Sequence, residues 1–372
     1  MANNSIPPSA HRLTSYIPDQ QGGGKEGVDG RQIHGIIIPT GLGNRSHDEG
    51  YEEGDEKGKG RVAEGGQYVW HALQTILKRE HAVVTSDEIP VQDIAADVRI
   101  ADPEAISTVN NAPEIVAVAQ ETARQVYEAM MAGKIPALME GDHSAVLGLA
   151  GALKMYADPN DPEFSTLKVV FFDAHTDILQ EPVPGGGKNA YGRTLSTLLG
   201  KGPKDLMPLM EGVPKLRPEN LLYVGTQLPD AVEVAFIDDL KIKCIDLDLV
   251  HDDPAETNRI IDAFLTIEKD GKDAPAPFHC ELDVDVITGQ ESKGNPMPNQ
   301  EGLTRNDLFK LVRRMKRKGK LVSLGVAEVA KDLDVDRQTL AIAVGFAARL
   351  LGMGDPNYYG EGYAPHMGAT TV

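Results

Sequence analysis

Cysteine is nearly absent: Cys244 and Cys280 are the only two in 372 residues. Two thiols in so long a chain make no disulfide framework, so a reducing cytoplasm is the expected compartment. No apolar stretch approaches the ~20 residues that a membrane helix needs. The opening Met1-Ala2-Asn3-Asn4-Ser5-Ile6-Pro7-Pro8 lacks a basic region followed by an apolar run, so no secretion signal is expected. Positive charge is scarce as well. Lys and Arg number 37 against 56 Asp and Glu, a net charge of −19. Such an excess repels phosphates and anionic lipid, which argues against nucleic acid and membrane surfaces as partners. It favours encounter with small cations.

What is present is the composition of a globular protein with a real core: 41% apolar and 25% charged residues. Residues 1–31 are polar and rich in Gly and Pro and read as an arm; residues 32–372 read as one domain. The stretch Arg45 to Arg61 is a charged, solvated loop. Apolar runs with little alternation occur at Ile33–Ile38, Leu167–Phe172, Leu221–Gly225 and Leu321–Val326, the pattern of parallel strands covered on both faces. Helices lie between them. Pro113 suits a first helical position, and Ile115, Val118, Ala119, Thr122 and Val126 recur on one face. Thr304 with Asp307 makes a capping-box start for a helix that buries Leu308, Phe309, Val312 and Met315 and stops at Gly319. Its basic end, Arg313 to Lys318, complements the helix dipole rather than nucleic acid. Strand–helix alternation throughout predicts an α/β fold: three α/β/α layers around a doubly wound, mostly parallel sheet.

Three distant segments share one chemical character. Glu140-Gly141-Asp142-His143-Ser144 follows the run from Ile135. Asp173-Ala174-His175-Thr176-Asp177 ends the strongest strand candidate. Asp283-Val284-Asp285 ends the run from Phe278. In extended backbone, residues two apart point the same way, so Asp173, His175 and Asp177 are expected to converge, as are Asp283 and Asp285. All three segments sit where strands end, the edge at which open α/β sheets bind ligands. Each piece alone has a plain reading: His143 as a structural histidine, Asp283 as a cap, Asp177 as a turn former. Together they place three polar groups on one side of a buried strand end, which calls for a strong partner. Two imidazoles and four carboxylates suit Mn, Co, Ni, Zn or Fe.

With these residues in view, the chain resembles the arginase/agmatinase (ureohydrolase) family. Gly141–Ser144, Asp173–Asp177 and Asp283–Asp285 are similar to its three metal-binding signatures. Gly302-Leu303-Thr304 resembles its Gly-Gly-Leu-Thr element, and Gly325-Val326-Ala327-Glu328-Val329 the strand whose Glu holds the guanidinium. The resemblance implies an arginase-like fold and two divalent ions per chain, Mn2+ by family habit with Ni2+ as the alternative. It implies that His143, Asp173, Asp177 and Asp283 hold one ion and Asp173, His175, Asp283 and Asp285 the other. Paired ions lower the pKa of a shared water toward about 7. The implied reaction is attack of that hydroxide on a guanidinium carbon, with Asp177 passing the proton and Glu328 binding the N–H groups. A trimer or hexamer is also implied.

The sequence departs from the arginase pattern at the substrate end. Leu179 stands at an Asn position, Tyr191 at a His position, and Thr288-Gly289 where Asp-Pro is usual. A phenol ordinarily titrates near pH ~10, so Tyr191 is a poorer proton shuttle than His. L-Arginine is therefore not the expected substrate; agmatine, guanidino acids, guanidine and biguanides such as metformin stay open, with Asn189, Tyr191 and Glu328 as expected contacts. Gly185-Gly186-Gly187-Lys188 lacks the frame of a phosphate loop and reads as a loop over the site. The competing expectation is a non-catalytic or weakly active partner subunit beside a homologous chain. The intact ligand set disfavours it; the lost histidine favours it.

Overall fold

The apolar runs become neighbouring strands of a single eight-stranded sheet. The computed structural model describes residues 31–42, 62–80, 82–101, 107–180, 187–227 and 229–353. The expected arm (Arg31 apart), the loop Arg45–Arg61, and Gly185 and Gly186 lie outside the described residues. In chain order the strands are β1 (Gln32–Ile38), β2 (Val83–Glu88), β3 (Ile135–Glu140), β4 (Lys168–Phe172), β5 (Leu221–Val224), β6 (Lys243–Ile245), β7 (Pro277–Asp283) and β8 (Lys320–Ala327). Their spatial order is β2-β1-β3-β8-β7-β4-β5-β6, and every pairing is parallel.

The longer helices are α1 (Gly65–Arg79), α2 (Val91–Ala101), α3 (Ala112–Met131), α4 (Ala231–Leu240), α5 (Pro254–Phe264), α6 (Arg305–Lys318) and α7 (Gln338–Leu350). Strand alternation sorts them into two layers. Val170 and Phe172 face a core shared with α1, α5, α6 and α7. Val169 and Phe171 face the other core, built with α2 and α3. Burial on both faces is why these strands read as continuous apolar runs. The doubly wound α/β/α architecture is as the sequence predicts. No helix among the described residues is long and apolar enough to cross a membrane.

Local signals match their structure closely. Pro113 opens α3, and Ile115, Val118, Ala119, Thr122 and Val126 are all buried. Thr304 caps α6 in a reciprocal capping box with Asp307. Two basic residues of α6 do more than face the helix dipole: Arg314 Nε donates to Asp262 Oδ1 of α5 at 2.6 Å, and Lys318 lies 3.0 Å from Asp262 Oδ2. Gly319 ends α6 in extended backbone, φ −102°, not as a left-handed cap. Its missing Cβ serves packing, since that atom would lie 2.7 Å from Phe278.

Candidate metal centre

The strand order explains how distant segments meet. β3, β8, β7 and β4 are consecutive neighbours. Their carboxyl ends deliver His143, Glu328, Asp283 with Asp285, and Asp173 through Asp177 to one edge of the sheet.

The residues converge by a different route from the alternation expected. β4 ends at Phe172, so Asp173, His175 and Asp177 lie in the coil beyond it, and Asp177 takes a left-handed conformation with φ 47°. A strand period cannot operate there; the turn aims the side chains instead. Asp283 closes β7 and caps the short helical turn Val284–Val286, which carries Asp285. Glu328 follows β8 and is also left-handed, φ 62°. Such conformations cost a non-glycine residue roughly 1–3 kcal/mol and persist where surrounding contacts enforce them.

Two groups of ligand-capable atoms result. His143 Nδ1 lies 3.1 Å from Asp173 Oδ2 and 3.2 Å from both Asp177 Oδ2 and Asp283 Oδ2. His175 Nδ1 lies 2.8 Å from Asp285 Oδ2 and 3.6 Å from Asp173 Oδ1. Asp173 thus gives one oxygen to each group, and clusters able to hold an ion form at His143–Asp173–Asp177 and at Asp173–His175–Asp285. Asp283 sits with the first group, while its Oδ1 accepts from the Asp285 backbone N–H at 2.9 Å. Backbone donors set the other carboxylates: His175 N to Asp173 Oδ1 at 2.7 Å and Ala174 N to Asp285 Oδ1 at 3.1 Å.

The charge balance of this nest fits cations. All four aspartates are buried, and among the described residues their ion pairs are with His143 and His175. One ring nitrogen carries at most one hydrogen, so His143 Nδ1 cannot satisfy three carboxylate oxygens. Protons otherwise take the cations' place. Burial opposes charge on His143, yet the facing carboxylates of Asp173, Asp177 and Asp283, as acceptors for its N–H, hold its pKa well above the usual value. Hydrogen bonds to Asp173 and Asp285 push His175 up to about 12. Burial, reinforced by the Asp173 charge, lifts Asp177 to about 7. Burial works against Asp173 too, but its bonds to both histidines hold it at about 2.

The substrate-side candidates lie nearby with mixed availability. Glu328 Oε1 accepts from the His143 backbone N–H at 2.9 Å, and among the described residues its Oε2 has no hydrogen-bond donor. Burial and the neighbouring Asp142 raise its carboxyl to about 8. Tyr191 opens a short helical turn, Tyr191–Arg193, close enough that Asp177, Glu328 and His175 act on it electrostatically. Asn189 is largely used inside the protein: it donates to Tyr191 Oη at 3.2 Å and accepts from Asn110 Nδ2 at 3.2 Å. Leu179 is half-buried and tied by its backbone N–H to Gly192 O at 3.0 Å. In place of the absent Asp-Pro turn, Thr288 N bonds Leu303 O at 3.0 Å, and Asn299 Nδ2 holds the Asp285 carbonyl at 3.1 Å.

Sequence reading missed several contributors. Arg193 is buried and donates to the Gly187 carbonyl at 2.7 Å, pinning the segment that carries Asn189. Glu140 and Glu281 form with His143 a further ligand-capable group. Both acids were visible inside apolar runs, where a charged residue is out of pattern.

Fold and site together define a class: parallel α/β proteins with a buried His/Asp centre at the carboxyl edge of the sheet. The chain belongs to the arginase family, whose model matches residues 58–352. It is 27% identical over 243 residues to an arginase of Staphylococcus aureus (strain MRSA252), covering 65% of this chain and 76% of that one. The structure of arginase from Bacillus caldovelox matches with a TM-score of 0.70 at 23% identity, over 87% of this chain and 99% of that one. Proclavaminate amidino hydrolase from Streptomyces clavuligerus matches with a TM-score of 0.58 at 17% identity, over 87% and 91%. At such identities the structural likenesses establish the fold.

Proposed function

We propose that this chain hydrolyses a guanidino or amidino C–N bond, using two divalent transition-metal ions, Mn2+ or Ni2+, on a small cationic substrate other than L-arginine. The observation that carries this reading is Asp173, buried, with its two oxygens turned to two different histidines. His143, Asp173, Asp177 and Asp283 would hold one ion, and Asp173, His175, Asp283 and Asp285 the other. Such ions, when bound, polarise the substrate and ionise water near neutral pH.

The protein groups divide the remaining work. Glu328 accepts N–H bonds from the substrate cation, a charge-assisted contact. It is pre-aimed by its bond from the His143 backbone. Asp177, at the inner wall, moves a proton to the departing nitrogen, which leaves poorly as an anion. Tyr191 is held above its ordinary pKa by burial, so it stays protonated and acts as a donor, not a base. Because Asn189 donates to its oxygen, the phenolic hydrogen is available to substrate. Leu179 offers no hydrogen bond to an α-amino-acid carboxylate.

The test is direct. Protein stripped of metal and reloaded separately with Mn2+ or Ni2+ is screened against agmatine, guanidino acids, guanidine and metformin, with urea and amine detection. Uptake of about two ions per chain and turnover of one of these compounds is the expected result. A chain that takes up no ions and turns over none of them would overturn the reading and favour the partner-subunit role.

A further inference from the structure

Two more carboxylates lie deeper in the sheet than the proposed ion ligands. Glu140 ends β3 and Glu281 lies on β7; they are 1% and 0% exposed. Sheet register places them on one face. Glu281 pairs with Gly325 and Asp283 with Ala327 across β8, while Gly325 pairs with Leu138 on β3, two residues before Glu140. Lateral neighbours in a parallel sheet point the same way, so β8 separates the two acids with only Gly325 and Ala327 on that face. A Cβ at Gly325 would lie 2.0 Å from Glu281 Oε2. The missing side chain makes the space into which the carboxylate reaches.

A ring nitrogen of His143 and one oxygen from each acid lie within 4.8 Å of one another. Nδ1 faces the three aspartates at 3.1–3.2 Å, which leaves Nε2 as the nitrogen on the side of these acids. Among the described residues it is buried without a hydrogen-bond partner, as is Nδ1, and so are both oxygens of Glu140 and Oε1 of Glu281. The ring is stacked on Phe171 at 4.8 Å and 8°, which restrains it from turning elsewhere. Glu281 Oε2 is already engaged with His279 Nε2 at 2.8 Å, and His279 Nδ1 with Ser323 Oγ at 2.9 Å. Orphaned buried polar atoms are expensive, and a convergent set spaced too widely for direct bonds suits one bridging water.

We propose that Glu140 and Glu281, through one shared water, accept the Nε2–H of His143 and so lock the tautomer in which Nδ1 presents its lone pair to a cation. Glu140 is then a positioning residue, and His279 with Ser323 steadies Glu281. A ligating histidine whose second nitrogen donates to a carboxylate is a more basic and better oriented ligand. The inference rests on the metal-binding reading above.

The experiment compares wild type with Glu140→Gln and Glu140→Ala by calorimetric Mn2+ titration, by thermal melting of metal-free protein, and by 15N-edited NMR of the His143 ring in metal-free and Zn2+-loaded protein. Glu140→Ala should weaken one of the two ions about 10–100-fold, and Glu140→Gln less, because its carbonyl still accepts from the water. Metal-free Tm should hold or rise, since a buried carboxylate with no protein partner is removed. A merely structural residue would lower Tm instead. The His143 Nε2–H resonance should exchange slowly in wild type and shift or broaden in Glu140→Ala. Unchanged affinity and an unchanged Nε2–H in both variants would overturn the proposal. So would a third ion per chain that Glu140→Ala alone removes. If wild type binds no ion, the metal reading fails, while the ring resonance of metal-free protein still decides the role of Glu140.

Discussion

Asp173→Asn is the sharpest single perturbation, because it changes charge at the side chain whose two oxygens face the two histidines and leaves its shape intact. The His175 backbone N–H retains an oxygen to bond at the place of Oδ1. What disappears is one negative charge, set 3.1 Å from His143 Nδ1 and 3.6 Å from His175 Nδ1. At an effective dielectric of about 20, a unit charge pair at such a separation interacts by about 5 kcal/mol. Relaxation and partial retention of the amide oxygen as a ligand reduce this, to about 3–5 kcal/mol per ion. Each ion should therefore bind roughly two to four powers of ten more weakly. Calorimetric Mn2+ titration of stripped protein measures this, with circular dichroism confirming the fold. Loss of affinity for only one ion would refute the shared-ligand geometry, and full retention of both would refute the metal centre itself.

Three further outcomes follow from the same geometry. Glu328→Gln keeps the acceptor for the His143 backbone but loses the charge; kcat/KM for a guanidinium substrate should fall about 10–100-fold, the worth of a charge-assisted bond, and an unchanged value would remove Glu328 from substrate binding. Tyr191→Phe should lower kcat about 10–100-fold if the phenol donates to substrate, whereas an unchanged kcat assigns it to packing with Asn189. For metal-free protein, Asp177 at about 7, Glu328 at about 8 and His175 at about 12 are all raised above their unfolded values. Groups so raised stabilise the fold below their unfolded pKa and lose that contribution as pH rises through the folded one. Metal-free Tm should thus fall between pH 5 and 8, while apparent metal affinity climbs by up to about tenfold per pH unit for each proton displaced; a metal-free Tm that rises over this range contradicts the assigned charge states.

Much of this protein was legible in one dimension because the relevant physics is local. Continuous apolar runs such as Leu167–Phe172 announce burial on two faces whatever lies beside them. The Thr304–Asp307 cap is a contact between neighbours in sequence. The clustering of His143, His175 and four aspartates at strand ends needed only the chemistry of the side chains and the rule about where parallel sheets bind ligands. Other features were decided by contacts that no local pattern encodes. Nothing near residue 172 signals that β7 and β8 will lie between β4 and β3, and that insertion is what brings Asp283 and Glu328 to His143. The left-handed turns at Asp177 and Glu328, not strand alternation, aim their carboxyls, and only the surrounding packing holds them there. Glu140 and Glu281 became a facing pair because Gly325, far away in the chain, intervenes in register. Side-chain type and periodicity were therefore written in the chain itself, whereas strand order, register and the strained turns came from long-range packing, where the free energy of one segment depends on which others bury it.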